Sequence, residues 1–415
     1  MTSIEIIRPQ SEDSKTSEKV HWSQKNTRNL LLSDKCCQRC IMDTSAPGIW
    51  FDESGTCSFC KLHDHLEREY PLNQIGQKKL SKILERTRYL GKNKKYDCVI
   101  GVSGGRDSTY LLWLAKTEWR LKPLAVHFND GFDNPLAGEN IKRAVQRLGV
   151  DLKTITSDWR ESKAIRTAFL KASVPNLEIG TDLGIFSSLF GAAHQENIKT
   201  VFTAHSFRTE GISPLTWSYL DSRYLNSVVR RFEAIQLRPW KANNPGYSLS
   251  FLQLIYYVVL KKIKCITPMF FLPYERSRAD IIIQKELGWV DPGAHYFDDL
   301  YQSLVSYVYR FKFGVDKRKF NYSALIRSGQ MNRLTALERL KKPSEIEDPK
   351  VLDLCIKRLG LTQAEFEIFM SYPTKTFLDY PTYYPLIRFL RIPIWILSKL
   401  HMIPAATYVK LFNCH

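Results

Sequence analysis

At 415 residues the chain has room for two or three domains and a sizeable core, and its 44% hydrophobic content is ordinary for a globular protein. Against 42 Asp plus Glu stand 60 Lys plus Arg, a net charge of +18 that suits nucleotides, nucleic acid or an acidic membrane face without choosing among them. No apolar run approaches the roughly 20 residues that span a bilayer, and the first residues are too polar and acidic for a signal peptide, so a cytoplasmic protein is expected.

Residues 1–34 carry scattered charges without periodicity and read as a flexible leader. The text then becomes CCQRCIMDTSAPGIWFDESGTCSFC, in which Cys37 and Cys40 form one C-x-x-C and Cys57 and Cys60 a second. Each turn places two thiolates on one side, and tetrahedral zinc takes four, so residues 35–66 are expected to form a structural zinc ribbon or knuckle. Using Cys36 in place of Cys37 would break the two-residue spacing, and disulfides are disfavoured in a reducing cytosol. His63 and His65, just beyond, read as surface residues rather than ligands.

Gln77–Leu90 has helical spacing and reads as a connector. Next comes Lys95–Leu114, KYDCVIGVSGGRDSTYLLWL: a short apolar strand, a turn at Ser103, Gly104, Gly105, Arg106, Asp107 and Ser108, and the start of a helix. Two glycines allow consecutive N–H groups to point at one oxyanion, and the helix aims its positive end at the same place. Ser103 and Ser108 add hydroxyl donors, so this is a phosphate site. The loop resembles the PP-loop of ATP pyrophosphatases, which implies ATP as ligand, cleaved between the α and β phosphates.

Pro123–Phe128 reads as a second strand ending in Asn129-Asp130-Gly131, Leu136–Leu148 as a helix, Leu152–Thr156 as a strand and Trp159–Phe169 as a helix. Asp182–Gln195 is a further helix, and the strand Thr200–Thr203 runs into AHSFRTEG, with His205, Arg208 and Glu210. This alternation predicts an α/β fold with a doubly wound parallel sheet over residues 67–270, and ligands in such sheets sit beyond the carboxyl ends of the strands. Asn129 and Asp130 are therefore expected to line the nucleotide pocket. Asp107 and Asp182 are candidates for holding Mg²⁺, Arg208 for neutralising pyrophosphate or substrate charge, and Glu210, with His205 beside it, for moving a proton.

Within the PP-loop superfamily the chain resembles the N-acetyl sugar amidotransferases of surface-polysaccharide synthesis, the WbpG type. The matching text is RCIMDTSAPGIWFDESGTCSFC, GVSGGRDSTY, HFNDGFDN, EIGTDLGIFSSLFGAA, HSFRTEG, WSYLDSRY, KELGWVDPGAHY, FGVDKR and SGQMNR. Ala204 where glycine is expected, and His127 at the end of the second strand, depart from that pattern. The resemblance implies that the acetamido carbonyl of a nucleotide-linked sugar is adenylylated and its oxygen replaced by ammonia, giving an acetamidino sugar for lipopolysaccharide O-antigen or a related glycan. It also implies partners similar to the glutaminase and cyclase subunits of histidine biosynthesis as the ammonia source, and no nucleic acid. The chain itself has no sharp Gly-x-Cys-x-Gly elbow for a glutaminase cysteine, and residue 2 is Thr. The alternative is a tRNA-thiolating PP-loop enzyme, which the basic charge and the paired C-x-x-C turns would also suit.

Residues 236–264 fit the alternation poorly, and the apolar run SLSFLQLIYYVVL from Ser248 to Leu260 is expected to be buried, with a dimer contact or a partner surface as the competing readings. Residues 271–415 read as an α-helical C-terminal region. Its last stretch, from Tyr380, carries Arg388, Arg391, Lys399 and Lys410 and no acid; a docked tail is the reading taken, with peripheral contact to anionic lipid as the competing one.

Overall fold

The structure, a computed structural model, describes residues 35–238, 249–293, 297–400, 402–403 and 405–412. The predicted leader, residues 1–34, lies outside them. Five parallel strands, β1 (Cys98–Gly101), β2 (Pro123–Asn129), β3 (Leu152–Thr156), β4 (Thr200–Phe202) and β5 (Lys264–Ile266), lie in the order β3-β2-β1-β4-β5. The central strand β1 is covered on both faces and has no polar side, whereas the edge strand β3, LKTIT, keeps Lys153, Thr154 and Thr156. Cys98, Ile100 and Val102 pack into one layer, while Val99 joins the other and Gly101 leaves room there for Leu189.

Helices α1 (Ser58–Glu69) and α2 (Gln74–Gly91) precede the sheet. The strands β1 to β4 are linked through α3 (Arg106–Trp113), α4 (Pro135–Leu148), and then α5 (Trp159–Ala172) with α6 (Ile179–Gln195). Local chemistry sets these boundaries. In α4, for example, Asn134 caps the first turn by accepting from the Leu136 amide, Pro135 opens the helix, and Gly149 ends it at φ +58°. Between β4 and β5 lie α7 (Leu215–Ser218), α8 (Ser222–Phe232) and α9 (Phe251–Ile255), the last continuing as a π-type turn through Leu260.

The C-terminal region is helical, as expected: α10 (Arg276–Leu287), α11 (Tyr301–Phe311), α12 (Arg318–Arg327), α13 (Arg333–Lys341), α14 (Pro349–Arg358), α15 (Gln363–Ser371), α16 (Tyr384–Phe389), α17 (Arg391–Lys399) and α18 (Ala405–Phe412). These helices share a core with the sheet domain. Leu304 and Val308 of α11, Leu352 of α14 and Phe366 of α15 are buried with Phe169 of α5 and Val228 of α8. The cysteine module packs against the same region, with Phe59 edge-on to Phe320 of α12 at 5.3 Å between ring centres. A buried ion pair at 2.6 Å, Asp43 with Lys319, joins module and α12.

Three expectations are corrected. His63 is buried, its ring edge-on to Phe207 at 5.3 Å, because α1 lies flat on the loop after β4. Ser248 lies outside the described residues, and the rest of that apolar run, 249–260, is only half buried: Leu249, Tyr257 and Val258 face inward, while Leu252, Ile255, Val259 and Leu260 face outward. A fifth strand, Lys264–Ile266, follows it, too short to show a period in sequence.

Candidate active site

The strand order reverses at β1: the chain steps outward to β2 and β3, then returns to β4 on the other side. The crevice at such a reversal lies between the carboxyl ends of β1 and β4. The turns that fall there are Ser103–Ser108 and Ala204–Glu210.

Gly104 takes φ +79°, and a Cβ on it would stand 2.1 Å from the Ala137 carbonyl oxygen, so no other residue fits. Its own carbonyl is held by the Trp289 indole N–H at 2.9 Å and the Asn140 amide at 3.2 Å. Within the loop the Ser103 amide donates to the Ser108 hydroxyl at 3.1 Å, and the Gly105 amide to the Ser103 hydroxyl at 3.3 Å. Gly105 opens α3 with no side-chain cap, which leaves first-turn amides facing the loop's mouth.

Carboxylates gather around this cradle. Burial and the charge of Glu210 push the Asp107 carboxyl up to about 7, although Arg276 lies close enough to oppose them, and Tyr274 donates its hydroxyl to Asp107. Burial also raises Asp298, whose Oδ2 stands 3.0 Å from where a Gly105 Cβ would be. His205 donates or accepts through Nδ1 with Glu210 Oε2 at 2.9 Å, while its buried Nε2 has no partner among the described residues. Glu210 also accepts from the Ser206 amide at 3.2 Å. His127, the departure noted in sequence, bridges the Val102 carbonyl at 2.9 Å and Asp133 at 2.8 Å; burial opposes its charge, but the hydrogen bond and charge of Asp133, with the Val102 carbonyl and Asp130, together raise its pKa.

The structure thus brings together Ser103, Gly104, Gly105, Asp107 and Ser108 with His205 and Glu210. Other predicted residues have different neighbours. Arg106 turns back to ion-pair with Asp280 of α10 and lies over Trp289. Arg208 donates to both carboxylate oxygens of Glu67, each at 2.7 Å, and to the carbonyls of Tyr70 and Phe270 at 2.8 Å. That buried guanidinium fastens α1 to the loop after β4 rather than facing a ligand. Asn129 accepts from the Gly131 amide at 2.9 Å and shapes the turn. Asp130 is 2% exposed and ion-paired to Arg166, with the Thr181 hydroxyl also donating to it. Asp182 sits among Glu178, Lys317 and Lys410; burial and Glu178 push its carboxyl up to about 7.

Asp298 and Asp299 escaped sequence reasoning. Their segment runs beside the turn after β2: the Asn134 amide donates to the Asp298 carbonyl and the Leu300 amide to the Phe132 carbonyl, each at 2.9 Å. Asp298 faces the glycine loop, while Asp299 lies near Asp130 and Arg166 and is raised by burial. Two consecutive acids after an aromatic pair, YFDDL, in so basic a chain were the available signal.

The four thiolates of Cys37, Cys40, Cys57 and Cys60 lie within 4.8 Å of one another, with Sγ–Sγ separations of 3.8 Å for Cys37–Cys60 and 3.7 Å for Cys40–Cys57. Sulfurs about 2.3 Å from one tetrahedral ion would stand roughly 3.8 Å apart, so the donor set fits a single ion.

Sheet order, switch-point glycine loop and cysteine cluster define a doubly wound parallel α/β protein with a four-cysteine module. Residues 294–392 match the family described as LPS biosynthesis protein WbpG-like, C-terminal domain, so the segment that follows the parallel sheet is similar to that domain. That match begins at the segment that carries Asp298 and Asp299. An uncharacterized protein of Methanocaldococcus jannaschii is 32% identical over 95 residues, 22% of this chain; the match spans about a third of that relative's length, 33%. Among solved structures, the chain is loosely similar to the NH3-dependent NAD synthetase of Campylobacter jejuni (15% identity, 72% of this chain and 98% of that one, TM-score 0.30). It is similar at the same level to the U34-tRNA thiolase NcsA of Methanococcus maripaludis with its [4Fe-4S] cluster (13% identity, 80% and 100%, TM-score 0.30).

Proposed function

We propose that the protein is an ATP-dependent, AMP-forming amidotransferase that converts the acetamido group of a nucleotide-linked sugar into an acetamidino group, with ammonia delivered by a partner glutaminase. The observation that carries this reading is the uncapped glycine cradle at the switch point, overhung by Asp298 from the WbpG-like segment. The amides and hydroxyls of Ser103–Ser108 hold the phosphates of ATP, and the carbonyl oxygen of the acetamido group attacks the α-phosphorus, releasing pyrophosphate and forming an O-adenylyl imidate. Ammonia adds to the activated carbon, and AMP departs with the original oxygen. His205, held by Glu210 and with its buried Nε2 unpartnered among the described residues, takes the proton that the ammonia nitrogen gives up.

Asp107, Glu210 and Asp298 offer oxygens suited to Mg²⁺, which would screen the triphosphate when bound. The Cys₄ set is assigned to structural zinc: it is buried and its shell is closed. The module supports the site at a distance, since Asn321 of α12 donates to the Thr209 carbonyl at 2.9 Å and Ser328 to that of Arg208 at 2.6 Å.

The basic charge favours tRNA thiolation as a second reading. Against it, burial raises the thiols of Cys98, Cys265 and Cys355, the last two to about 12, which suppresses the thiolate that such chemistry uses. The test is the purified chain with ATP, Mg²⁺ and a panel of acetamido nucleotide sugars: amidine should form with ammonium at raised pH and not with glutamine alone. Glutamine-dependent product from the single chain would overturn the partner claim, and tRNA-stimulated AMP release would favour thiolation.

A further inference from the structure

Helices that are apolar all round are ordinarily enclosed. The segment Phe251–Leu260 is not: its outward residues Leu252, Ile255, Tyr256, Val259 and Leu260 recur at helical spacing, with Leu252 76% and Leu260 68% exposed. A second such surface lies beside it. Along α16 and α17 the residues Leu386, Phe389, Ile392, Ile396 and Leu400 form an outward apolar row, in which Phe389 is 85% and Ile392 71% exposed. Arg388, Arg391 and Lys399 flank that row, with Trp395 between them. Only Ile387 and Ser398 of these two helices are buried.

The two surfaces are continuous. The Phe251 ring lies 5.9 Å from that of Tyr383, Leu254 and Leu397 pack on one core cluster, and Lys264 donates to the Leu400 carbonyl at 2.8 Å. The charge that these stretches themselves carry has one sign. No acid occurs from residue 234 to 274 or from 380 to 415, and Lys261, Lys262, Arg388 and Arg391 border the apolar rows. Two carboxylates reach this region, Glu69 paired with Lys399 and Asp221 accepting from the Tyr383 amide at 2.9 Å. Beside Lys264 a cleft of about 240 Å³ opens between α2 and β5, with Lys79, Lys82, Arg86 and Lys264 at its wall alongside Ile83 and Leu90.

We infer that this face docks on the surface of an anionic lipid bilayer, with the outward rows of Phe251–Leu260 and α16–α17 entering the acyl boundary. Large apolar side chains ringed by cations are the pattern of a helix lying in the membrane interface, and phosphate headgroups supply the charge that this rim lacks. A protein partner would have to match two apolar rows and a wholly basic border at once. Among the described residues no helix is long and apolar enough to cross a membrane, so the contact is peripheral.

The test is sedimentation of the full chain with vesicles of phosphatidylcholine alone or mixed with phosphatidylglycerol. Binding should require the anionic lipid and weaken with salt. The double variant Phe389→Ser, Ile392→Ser, whose side chains are already exposed, should keep its circular dichroism and lose at least about tenfold in partitioning. Arg388→Glu should cost about fivefold or more. Equal binding to neutral vesicles, unchanged binding by the double variant, or no binding to either vesicle would overturn the inference. Absence of vesicle binding together with a dimer in light scattering that Phe389→Ser, Ile392→Ser dissociates would instead assign the face to a second copy.

Discussion

Replacing Asp107 by Asn is expected to stabilise the fold at neutral and higher pH while abolishing ATP turnover. In the folded chain burial and Glu210 push the Asp107 carboxyl from 3.8 up to about 7. An unfolded Asp releases its proton near pH ~3.9, so between about pH 4 and 7 the folded state holds a proton that the unfolded state has lost, and stability falls as pH rises through that window. Three units correspond to about 4 kcal/mol at 1.36 kcal/mol each. Asp107 is only half buried, so solvent screening reduces this to roughly 2 kcal/mol. Asn keeps the acceptor for the Tyr274 hydroxyl but cannot ionise. Urea titrations at pH 5 and pH 8 should therefore show the variant's advantage growing with pH by more than about 1 kcal/mol. An advantage independent of pH, or a variant less stable at pH 8, would refute the reasoning.

The two loop glycines should separate fold from function. Gly104→Ala forces a Cβ to 2.1 Å from backbone at positive φ and should cost more than about 2 kcal/mol in urea unfolding. Gly105→Val meets mainly the Asp298 side chain, so it should fold normally and lose AMP formation, as a nucleotide-release assay would show. Cys37→Ser or Cys60→Ser should lower solubility and metal content together, read by elemental analysis, because a closed thiolate site contributes folding energy. Lys319→Ala removes the buried cation 2.6 Å from Asp43 and should cost about 3–5 kcal/mol by chemical denaturation.

What was legible in sequence is what is local. The glycine loop sits where an apolar strand stops and a helix starts, and the two C-x-x-C turns fix ligand geometry within a few residues. Arg208 misleads for the opposite reason. A cation at a strand end resembles a ligand, but its carboxylate partner, Glu67, lies 141 positions earlier on α1. Asp130 misleads in the same way, since Arg166 and Thr181 claim it from α5 and α6. Asp298 reaches the loop only because the segment before α11 packs along the turn after β2, a contact between stretches more than a hundred residues apart. The burial of Ser248–Leu260 was expected from composition alone, which cannot tell an enclosed helix from one whose outer face is bare.

The central claim is that ATP activates an acetamido oxygen. It is tested most directly by supplying an acetamido nucleotide sugar with heavy oxygen in that carbonyl, together with ATP, Mg²⁺ and ammonium, and weighing the released AMP by mass spectrometry. The account predicts one heavy oxygen in AMP for each amidino sugar formed. Amidine formed with unlabelled AMP, or with ADP in its place, would contradict it.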